Sequence, residues 1–248
     1  MAHKMQENRF ELKYIVDEPT AVGVRNFIRP YLEPDEFADP KNKNSYMIHS
    51  LYCDNKGLAL RQATVQGHKN RYKLRIRFYD EIPENPVFFE IKGRINDVIL
   101  KERAAVKRAS VARILSRPYP ERSDLLKFDA KNWATLERFC DLKTSINATG
   151  RAFVSYLREA YVSPYDDSVR VTFDRMISAG PYYKTLNVKF LDSWLQPPIE
   201  GVVLELKFTD RFPLWMRDLV RSFNLWRGSM AKYVFCAESL NRHHYLNK

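Results

Sequence analysis

The strongest constraint on the fold is a segment in which basic and apolar residues alternate without a break. The sequence RYKLRIRFY, residues 71–79, has Arg or Lys at every second position from 71 to 77 and an apolar or aromatic residue after each of them. Side chains alternate between the two faces of a β-strand, so the pattern predicts a strand with one cationic and one apolar face. The apolar face must pack, and we expect helices of the same chain to cover it.

A second pattern, Glu-x-Lys, recurs in predicted strands that lie far apart in the chain. It occurs at the pairs Glu11/Lys13, Glu90/Lys92 and Glu205/Lys207. Residues two apart share a face of a strand, so each pair puts an acid and a base on the same side. A single strand of this kind usually faces solvent. Its recurrence on several strands favours a shared charged surface.

Other basic side chains extend this surface over further predicted strands. They are Lys73, Arg75, Arg77, Lys101, Arg103, Arg158 and Arg170. A sheet that packs its outer face on helices and has a polar inner face must curve, and a barrel of about eight strands encloses side chains or one slender ligand. We therefore predict an α+β fold, an antiparallel β-barrel tunnel of about eight strands with helices packed on the outside.

Helix signals separate these strands. Asp17-Glu18-Pro19-Thr20 is typical of a helix start, and helical spacing of apolar residues recurs over 110–147 and 211–225. Residues 58–66 fit either a helical turn or a short strand. No segment looks like a linker, and 248 residues with 45% hydrophobic content can bury a full core. We expect residues 1–248 to form a single domain.

The charge balance predicts an anionic partner. The chain has 41 Lys and Arg against 30 Asp and Glu, a formal net charge of +11, which suits nucleic acid, a nucleotide, a polyanion or a membrane surface. The aromatic residues alternate opposite the bases, whereas a platform for nucleic acid would interleave them on one face, so we expect no nucleic-acid partner. Buried bases need counter-anions, and phosphate suits the forked donors of Arg.

The acids among these bases need a separate explanation, because each carboxylate repels phosphate. Glu11, Glu90 and Glu205 are explained if they bind Mg²⁺ or Mn²⁺, hard ions that take oxygen ligands and bridge to phosphate oxygens. Each Glu-x-Lys strand would then supply one metal ligand and one phosphate contact. Asp174 shares a face with Arg170, and we expect it to form a salt bridge or to orient a neighbouring base.

Other classes of site find little support. Cys53, Cys140 and Cys236 are odd in number and lack metal-ligand spacing, and the scattered histidines argue against a zinc site. No Ser-His-Asp or Cys-His arrangement is evident. The sequence has no signal-peptide pattern and no apolar run near 18 residues, so we expect a cytoplasmic protein whose membrane partner, if it has one, is a separate chain.

Several short segments, taken in order, resemble a known family. They are RFELKY, HSLYCDN, KLRIRFY, FFEIKGR, LKERAAV, SYLREAY, VRVTFDR, VVLELKF and MAKY. Their order and spacing resemble the VTC (vacuolar transporter chaperone) domain of the triphosphate tunnel metalloenzyme superfamily, which also includes CYTH proteins. The resemblance runs from about Arg9 to about Tyr233. FELKY has one Glu before its Lys, where CYTH proteins show Glu-x-Glu-x-Lys, which favours the VTC branch.

The resemblance implies a function and a set of site residues. VTC members resemble polyphosphate polymerases, which transfer the terminal phosphoryl group of ATP to a growing polyphosphate chain and require Mn²⁺ or Mg²⁺. The implied catalytic bases are Lys13, Arg75, Arg77, Lys92, Arg158, Arg170 and Lys232. The implied further phosphate contacts are Lys73, Lys101, Arg103 and Lys207. Glu205 matches the family's metal ligand, with Glu11 and Glu90 as additional candidates.

Two alternatives to the polymerase stay open. The same site with water as acceptor would be a hydrolase of inorganic triphosphate or nucleoside triphosphates. A non-catalytic module that binds polyphosphate would need the bases but gain nothing from an isolated acid such as Glu205.

Overall fold

The structure, a computed structural model, describes residues 9–96, 98–166, 168–189, 191 and 194–246. The strands are β1 (Arg9–Val16), β2 (Glu33–Pro34), β3 (Ser45–Asp54), β4 (Asn70–Phe78), β5 (Val87–Ile95), β6 (Val98–Val106), β7 (Thr149–Val162), β8 (Val169–Pro181) and β9 (Val202–Thr209). The helices are α1 (Glu18–Ile28), α2 (Ala59–Val65), α3 (Val111–Ser116), α4 (Ala130–Ser145), α5 (Leu214–Ser222) and α6 (Lys232–Arg242). Residues 58–66, left open between helix and strand, are therefore largely helical.

The strands form one nine-stranded sheet in the order β1-β9-β8-β7-β3-β4-β5-β6, with β2 paired to β7. The resolved ladders β1–β9, β2–β7, β3–β4, β4–β5, β5–β6 and β8–β9 are all antiparallel. Together with the helices that pack on it, this sheet confirms the predicted α+β class. In the described residues β1 and β6 are the two ends of the strand order, and no ladder joins them.

The chain divides into two compact units that interleave along the sequence. Unit 1 is drawn from Met1–Tyr46, Leu157–Met176 and Ile199–Met230, and unit 2 from Met47–Tyr156, Ile177–Pro198 and Ala231–Lys248. Strands β7 and β8 contribute residues to both units. Each unit has its own hydrophobic core.

In unit 1 the apolar faces of β1, β8 and β9 pack against α1 and α5. Helix α1 begins at the predicted start signal, where Asp17 is the N-cap and its side chain accepts a hydrogen bond of 2.8 Å from the Thr20 amide. Its side chains Ala21, Val24 and Ile28 are fully buried. The helical spacing of apolar residues therefore marks the face that packs on the sheet.

In unit 2 the alternating segment 71–79 behaves as predicted. Leu74, Ile76 and Phe78 of β4 are fully buried. They lie in a core that includes residues of α2, α3 and α4, and the ring of Phe89 on β5 meets that of Phe139 on α4 edge-on at 4.9 Å. The basic side chains of β4 therefore project from the face that does not pack on these helices.

Among the helices that the structure describes, none combines the length and the apolar composition needed to cross a membrane.

The core of unit 2 can be tested at Phe89, which is fully buried on β5. We expect Phe89→Ala to lower the free energy of unfolding by about 3–5 kcal/mol, because it removes buried apolar surface and leaves a cavity against Phe139. Ile95→Ala, at the end of the same strand with 50% of the residue exposed, should change it by less than about 0.5 kcal/mol. Urea unfolding monitored by circular dichroism measures both, and equal losses would contradict this packing.

Candidate functional site

The polar face of β4, β5 and β6 in unit 2 concentrates basic side chains in register. Lys73 lies opposite Lys92, which lies opposite Lys101 on the next strand. Arg71 faces Arg94 in the same way, and burial together with the charge of Arg94 lowers the pKa of Arg71. Side chains directly opposite in antiparallel strands have Cβ atoms about 4.5–5.5 Å apart, and like charges there repel. This face is therefore strongly cationic.

We call this surface the β4–β6 basic face. It comprises Arg71, Lys73, Arg75, Arg77, Glu90, Lys92, Arg94, Lys101 and Arg103.

The carboxylate of Glu90 lies at the centre of this face and is fully buried. Its Oε2 accepts a hydrogen bond of 2.6 Å from Arg75 Nε, and its Oε1 lies 3.2 Å from Lys101 Nζ and 3.4 Å from Arg103 Nε. Burial alone would raise the pKa of Glu90, but these bases and Arg77 outweigh it and lower the pKa. Glu90 therefore stays ionised and neutralises part of the surrounding charge.

Tyrosines of unit 2 hold two of the predicted bases. Arg75 Nη1 donates to the hydroxyl of Tyr52 at 3.3 Å, and Arg77 Nη2 donates to the hydroxyl of Tyr156 at 3.2 Å. Arg77 Nε also donates to Ser50 Oγ at 3.4 Å. None of these three partners was predicted from the sequence. Tyr52 and Ser50 could have been found, because they alternate along β3 with residues of the core.

Two further predicted bases contact aromatic rings in unit 2. The guanidinium of Arg103 lies 3.5 Å from the ring centroid of Phe88, and its Nη2 donates to the Tyr79 hydroxyl at 3.0 Å. Lys232, the first residue of α6, places Nζ 5.1 Å from the ring centroid of Tyr156. Contacts of this kind hold a cation without neutralising it.

In unit 1, two of the predicted acids meet at one lysine. Lys13 Nζ lies 2.8 Å from Glu11 Oε1 and 3.6 Å from Glu205 Oε1, and it donates to the Met230 carbonyl at 3.1 Å. The other oxygen of Glu205 lies 2.9 Å from Lys207 Nζ. Glu205 is 5% exposed. The ammonium group of Lys13 therefore lies between two carboxylates.

The two arginines predicted on β7 and β8 are each held by an acid within unit 1. Arg158 donates to both oxygens of Asp174, at 2.6 and 2.7 Å, which is the salt bridge anticipated for Asp174. Arg170 Nη2 donates to Asp35 at 2.5 Å and to the Tyr46 hydroxyl at 3.2 Å. Asp35 belongs to the polar, proline-containing segment 33–44, where no local signal marks it as a partner for Arg170.

The predicted site residues therefore form two groups. Unit 2 brings together Lys73, Arg75, Arg77, Glu90, Lys92, Lys101 and Arg103, and unit 2 also contains Lys232. Unit 1 brings together Glu11, Lys13, Arg158, Glu205 and Lys207, with Arg170 opposite Lys207 in the β8–β9 ladder.

The predicted metal ligands differ in how well they suit a metal. Over the described residues, no three His, Cys, Asp or Glu side chains gather where they could hold a metal ion. Mg²⁺ is often bound by one or two carboxylates together with phosphate oxygens of the substrate. Glu11 and Glu205 fit that donor set, because they already share one cation, the Lys13 ammonium. Glu90 is contacted by three bases, so its carboxylate is better suited to neutralising their charge than to binding a metal ion.

Lys101 should show unusual reactivity. Burial together with the repulsion of the neighbouring arginines outweighs the attraction of Glu90 and lowers the pKa of Lys101 to about 8, although 47% of its side chain is exposed. A larger uncharged fraction at pH 8 should make it react with acetic anhydride about 10-fold faster than Lys189, whose side chain is 79% exposed. Peptide mass spectrometry measures both rates.

Glu90→Gln provides the control for this prediction. It removes the charge that raises the pKa of Lys101, so the reaction of Lys101 should accelerate further at pH 7. Similar rates for Lys101 and Lys189 in the wild-type protein would contradict the assigned pKa.

The similarity of this chain to known proteins identifies the family to which it belongs. No protein of curated function matches the chain. Among solved structures, the PH1819 protein from Pyrococcus horikoshii OT3 is similar with a TM-score of 0.45 and 11% identity, over 95% of this chain and 99% of that one. A mimivirus capping enzyme triphosphatase is similar with a TM-score of 0.34 and 8% identity, over 88% of this chain and 89% of that one. The sequence profile of the VTC domain matches residues 8–241, and the chain therefore belongs to the VTC domain family.

Proposed function

We propose that this chain is a metal-dependent phosphotransferase that passes the terminal phosphoryl group of ATP to a polyphosphate chain. The observation that carries the proposal is the row of bases along β4, at Arg71, Lys73, Arg75 and Arg77, which is widened by lysines in register on β5 and β6. A strand rises about 3.4 Å per residue, so this row extends for about 20 Å. Membership of the VTC domain family supports a substrate of the triphosphate or polyphosphate class.

The row of bases suits a linear anion with repeated charge. Lys92 lies opposite both Lys73 and Lys101, so the ladder brings three lysines to one level of the sheet, where a phosphate group would attract all three. Arg75 and Arg77 present guanidinium groups, which bind phosphate oxygens through paired N–H groups. A row of this length holds more phosphate groups than a triphosphate contains, which favours polyphosphate over triphosphate alone.

Phosphoryl transfer asks little covalent chemistry of the protein and depends mainly on alignment and on stabilisation of charge. In this proposal Arg75, Arg77 and Lys92 hold phosphate oxygens and stabilise the charge on the transferred group. Glu90 keeps Arg75 directed along the face through its 2.6 Å hydrogen bond. Burial alone would lower the pKa of Arg75, but Glu90 raises it above its ordinary value, so Arg75 stays charged.

Glu205 and Glu11 are the proposed ligands of Mg²⁺ or Mn²⁺. When bound, such an ion supplies positive charge to phosphate oxygens. In this proposal Lys13 and Lys207, which contact Glu205, hold its carboxylate in place and add to the positive charge near it.

The test is to incubate the purified protein with ATP and Mn²⁺ and to resolve the phosphate products by length. A ladder of long chains with release of ADP is the expected result. Orthophosphate alone would identify a triphosphatase that uses water as acceptor. Retention of added polyphosphate without turnover would identify a binding module, and either result would overturn the polymerase.

A matched pair of lysine variants shows whether the β4–β6 basic face is responsible. Lys92→Gln should lower chain synthesis and weaken binding of tripolyphosphate by at least about 10-fold, because a charge-assisted hydrogen bond contributes about 1.5–3 kcal/mol. Lys189→Gln removes the same charge from a lysine whose side chain is 79% exposed and should change neither. Equal losses in the two variants would indicate nonspecific attraction.

Glu205→Gln tests the metal assignment. The change keeps the size of the side chain but removes a carboxylate ligand, so Mn²⁺-dependent turnover should fall on the order of 100-fold. Binding of tripolyphosphate without metal should not weaken, because the carboxylate repels phosphate. The control is Glu137→Gln on the exposed side of α4, which should leave turnover unchanged. Unchanged turnover in Glu205→Gln would rule out this metal ligand.

A further inference from the structure

The first turn of α6 is connected to Arg75 by a chain of side chains in unit 2. The rings of Tyr233 and Tyr52 stack with centroids 4.5 Å apart and planes 9° from parallel. The Tyr52 hydroxyl accepts the 3.3 Å hydrogen bond from Arg75 Nη1. Arg75 is in turn bound to Glu90 at 2.6 Å. The orientation of Arg75 is therefore set from two sides, by a carboxylate and by a tyrosine that α6 supports.

A second connection runs from the preceding residue of α6. Lys232 Nζ lies 5.1 Å from the ring centroid of Tyr156, whose hydroxyl accepts the 3.2 Å hydrogen bond from Arg77 Nη2. Consecutive residues at the start of α6 thus contact the tyrosines that hold neighbouring bases of β4.

What holds the start of α6 is a buried carboxylate at the end of β3. Asp54 is fully buried, and Tyr233, which is 1% exposed, donates its hydroxyl to Asp54 Oδ2 at 2.8 Å. Asp54 also accepts hydrogen bonds from the backbone amides of Asn55, Leu60 and Arg61, at 2.8, 3.0 and 3.0 Å. Burial raises the pKa of Tyr233 well above its ordinary value, so the hydroxyl stays protonated and donates.

The start of α6 depends on the hydrogen bond between Tyr233 and Asp54 because no side-chain hydrogen bond from its N-cap residue stabilises the first turn. Its N-cap residue is Ala231, which makes no side-chain hydrogen bond to the first turn. A helix start without a cap is weakly held by its own residues. A buried carboxylate, by contrast, binds its donors firmly because an unsatisfied one is costly. The bond between Tyr233 and Asp54 therefore joins α6 to the start of α2, which the same carboxylate anchors.

We propose that Asp54 and Tyr233 are positioning residues for phosphate binding, which fix the start of α6 and through Tyr52 hold Arg75 in the orientation that receives the substrate. The proposal rests on the function proposed above. Neither residue contacts the substrate in this scheme. A loss of their hydrogen bond would let α6 shift and would release the Tyr52 ring that carries the Arg75 contact.

The test compares two tyrosines that each donate to a buried carboxylate. Tyr233→Phe keeps the stacked ring and removes only the hydroxyl bound to Asp54. Tyr161→Phe removes a 2.7 Å hydrogen bond to Glu159 in unit 1, where Tyr161 is 4% exposed. Both variants should lose some thermal stability. Only Tyr233→Phe should weaken binding of tripolyphosphate, on the order of 10-fold, because misplacement of a binding group is costly.

A second measurement does not depend on phosphate binding. The NMR resonance of the Arg75 Nε–H group, assigned with Arg75→Lys, reports the hydrogen bond to Glu90 directly. It should shift and exchange faster with solvent in Tyr233→Phe, and should be unchanged in Tyr161→Phe. In the ATP reaction, Tyr233→Phe should raise KM more than it lowers kcat, since the bases remain present but are less well oriented.

The outcomes separate this proposal from the proposed function. If the wild-type protein binds tripolyphosphate and Tyr233→Phe binds it equally well, or if both variants weaken it equally, the positioning role is wrong. If the wild-type protein does not bind it, the proposed function fails and the Arg75 resonance decides: a shift confined to Tyr233→Phe supports the positioning of Arg75, and no shift overturns it.

Asp54→Asn completes the experiment. Combined with Tyr233→Phe, it should weaken tripolyphosphate binding no more than Asp54→Asn alone, because the hydrogen bond that Tyr233→Phe removes is one of those that Asp54→Asn disrupts. Independent, multiplied losses would contradict a shared role.

Discussion

Repulsion between bases on one face of a sheet is the constraint on which the rest of this structure depends. On β4 the other face is occupied by Leu74, Ile76 and Phe78, which are fully buried, so the strand cannot slip by one residue to relieve the repulsion without exposing its core. The bases must instead be held in place by partners on their own face. Glu90 does this in unit 2, surrounded by Arg75, Lys101 and Arg103.

The partners divide into carboxylates, which neutralise charge, and tyrosines, which do not. Asp174 binds Arg158 through both of its oxygens, whereas Tyr156 gives Arg77 an acceptor and leaves its charge in place. A face that must bind an anion needs both carboxylate and tyrosine partners for its bases. If carboxylates neutralised every base, the face would no longer attract the anion, and if none were neutralised, repulsion between the bases would destabilise the fold. The balance on the β4–β6 basic face, where several bases surround the carboxylate of Glu90, suits a ligand that brings its own repeated negative charge.

The three copies of Glu-x-Lys show which structural features a sequence pattern can predict and which it cannot. As sequence they are equivalent, and alternation correctly put each Glu and Lys on the polar face of a strand. Their surroundings are not equivalent: Glu90 is contacted by three bases, whereas Glu11 and Glu205 share Lys13. The difference arises from the strands alongside, β4 and β6 for Glu90 and β1 and β8 for Glu205, and no local pattern specifies which strands become neighbours.

The sequence by itself determined the α+β class, the direction in which the side chains of β4 point and the family, because these follow from local alternation and from the order of short segments. Only the tertiary structure decided which side chains meet. Asp54 and Tyr233 are separated by 179 positions, and Arg170 meets Asp35 across 135. Such contacts depend on strand register and on the docking of helices, which are set by packing of the whole chain and leave no periodic signal around either residue.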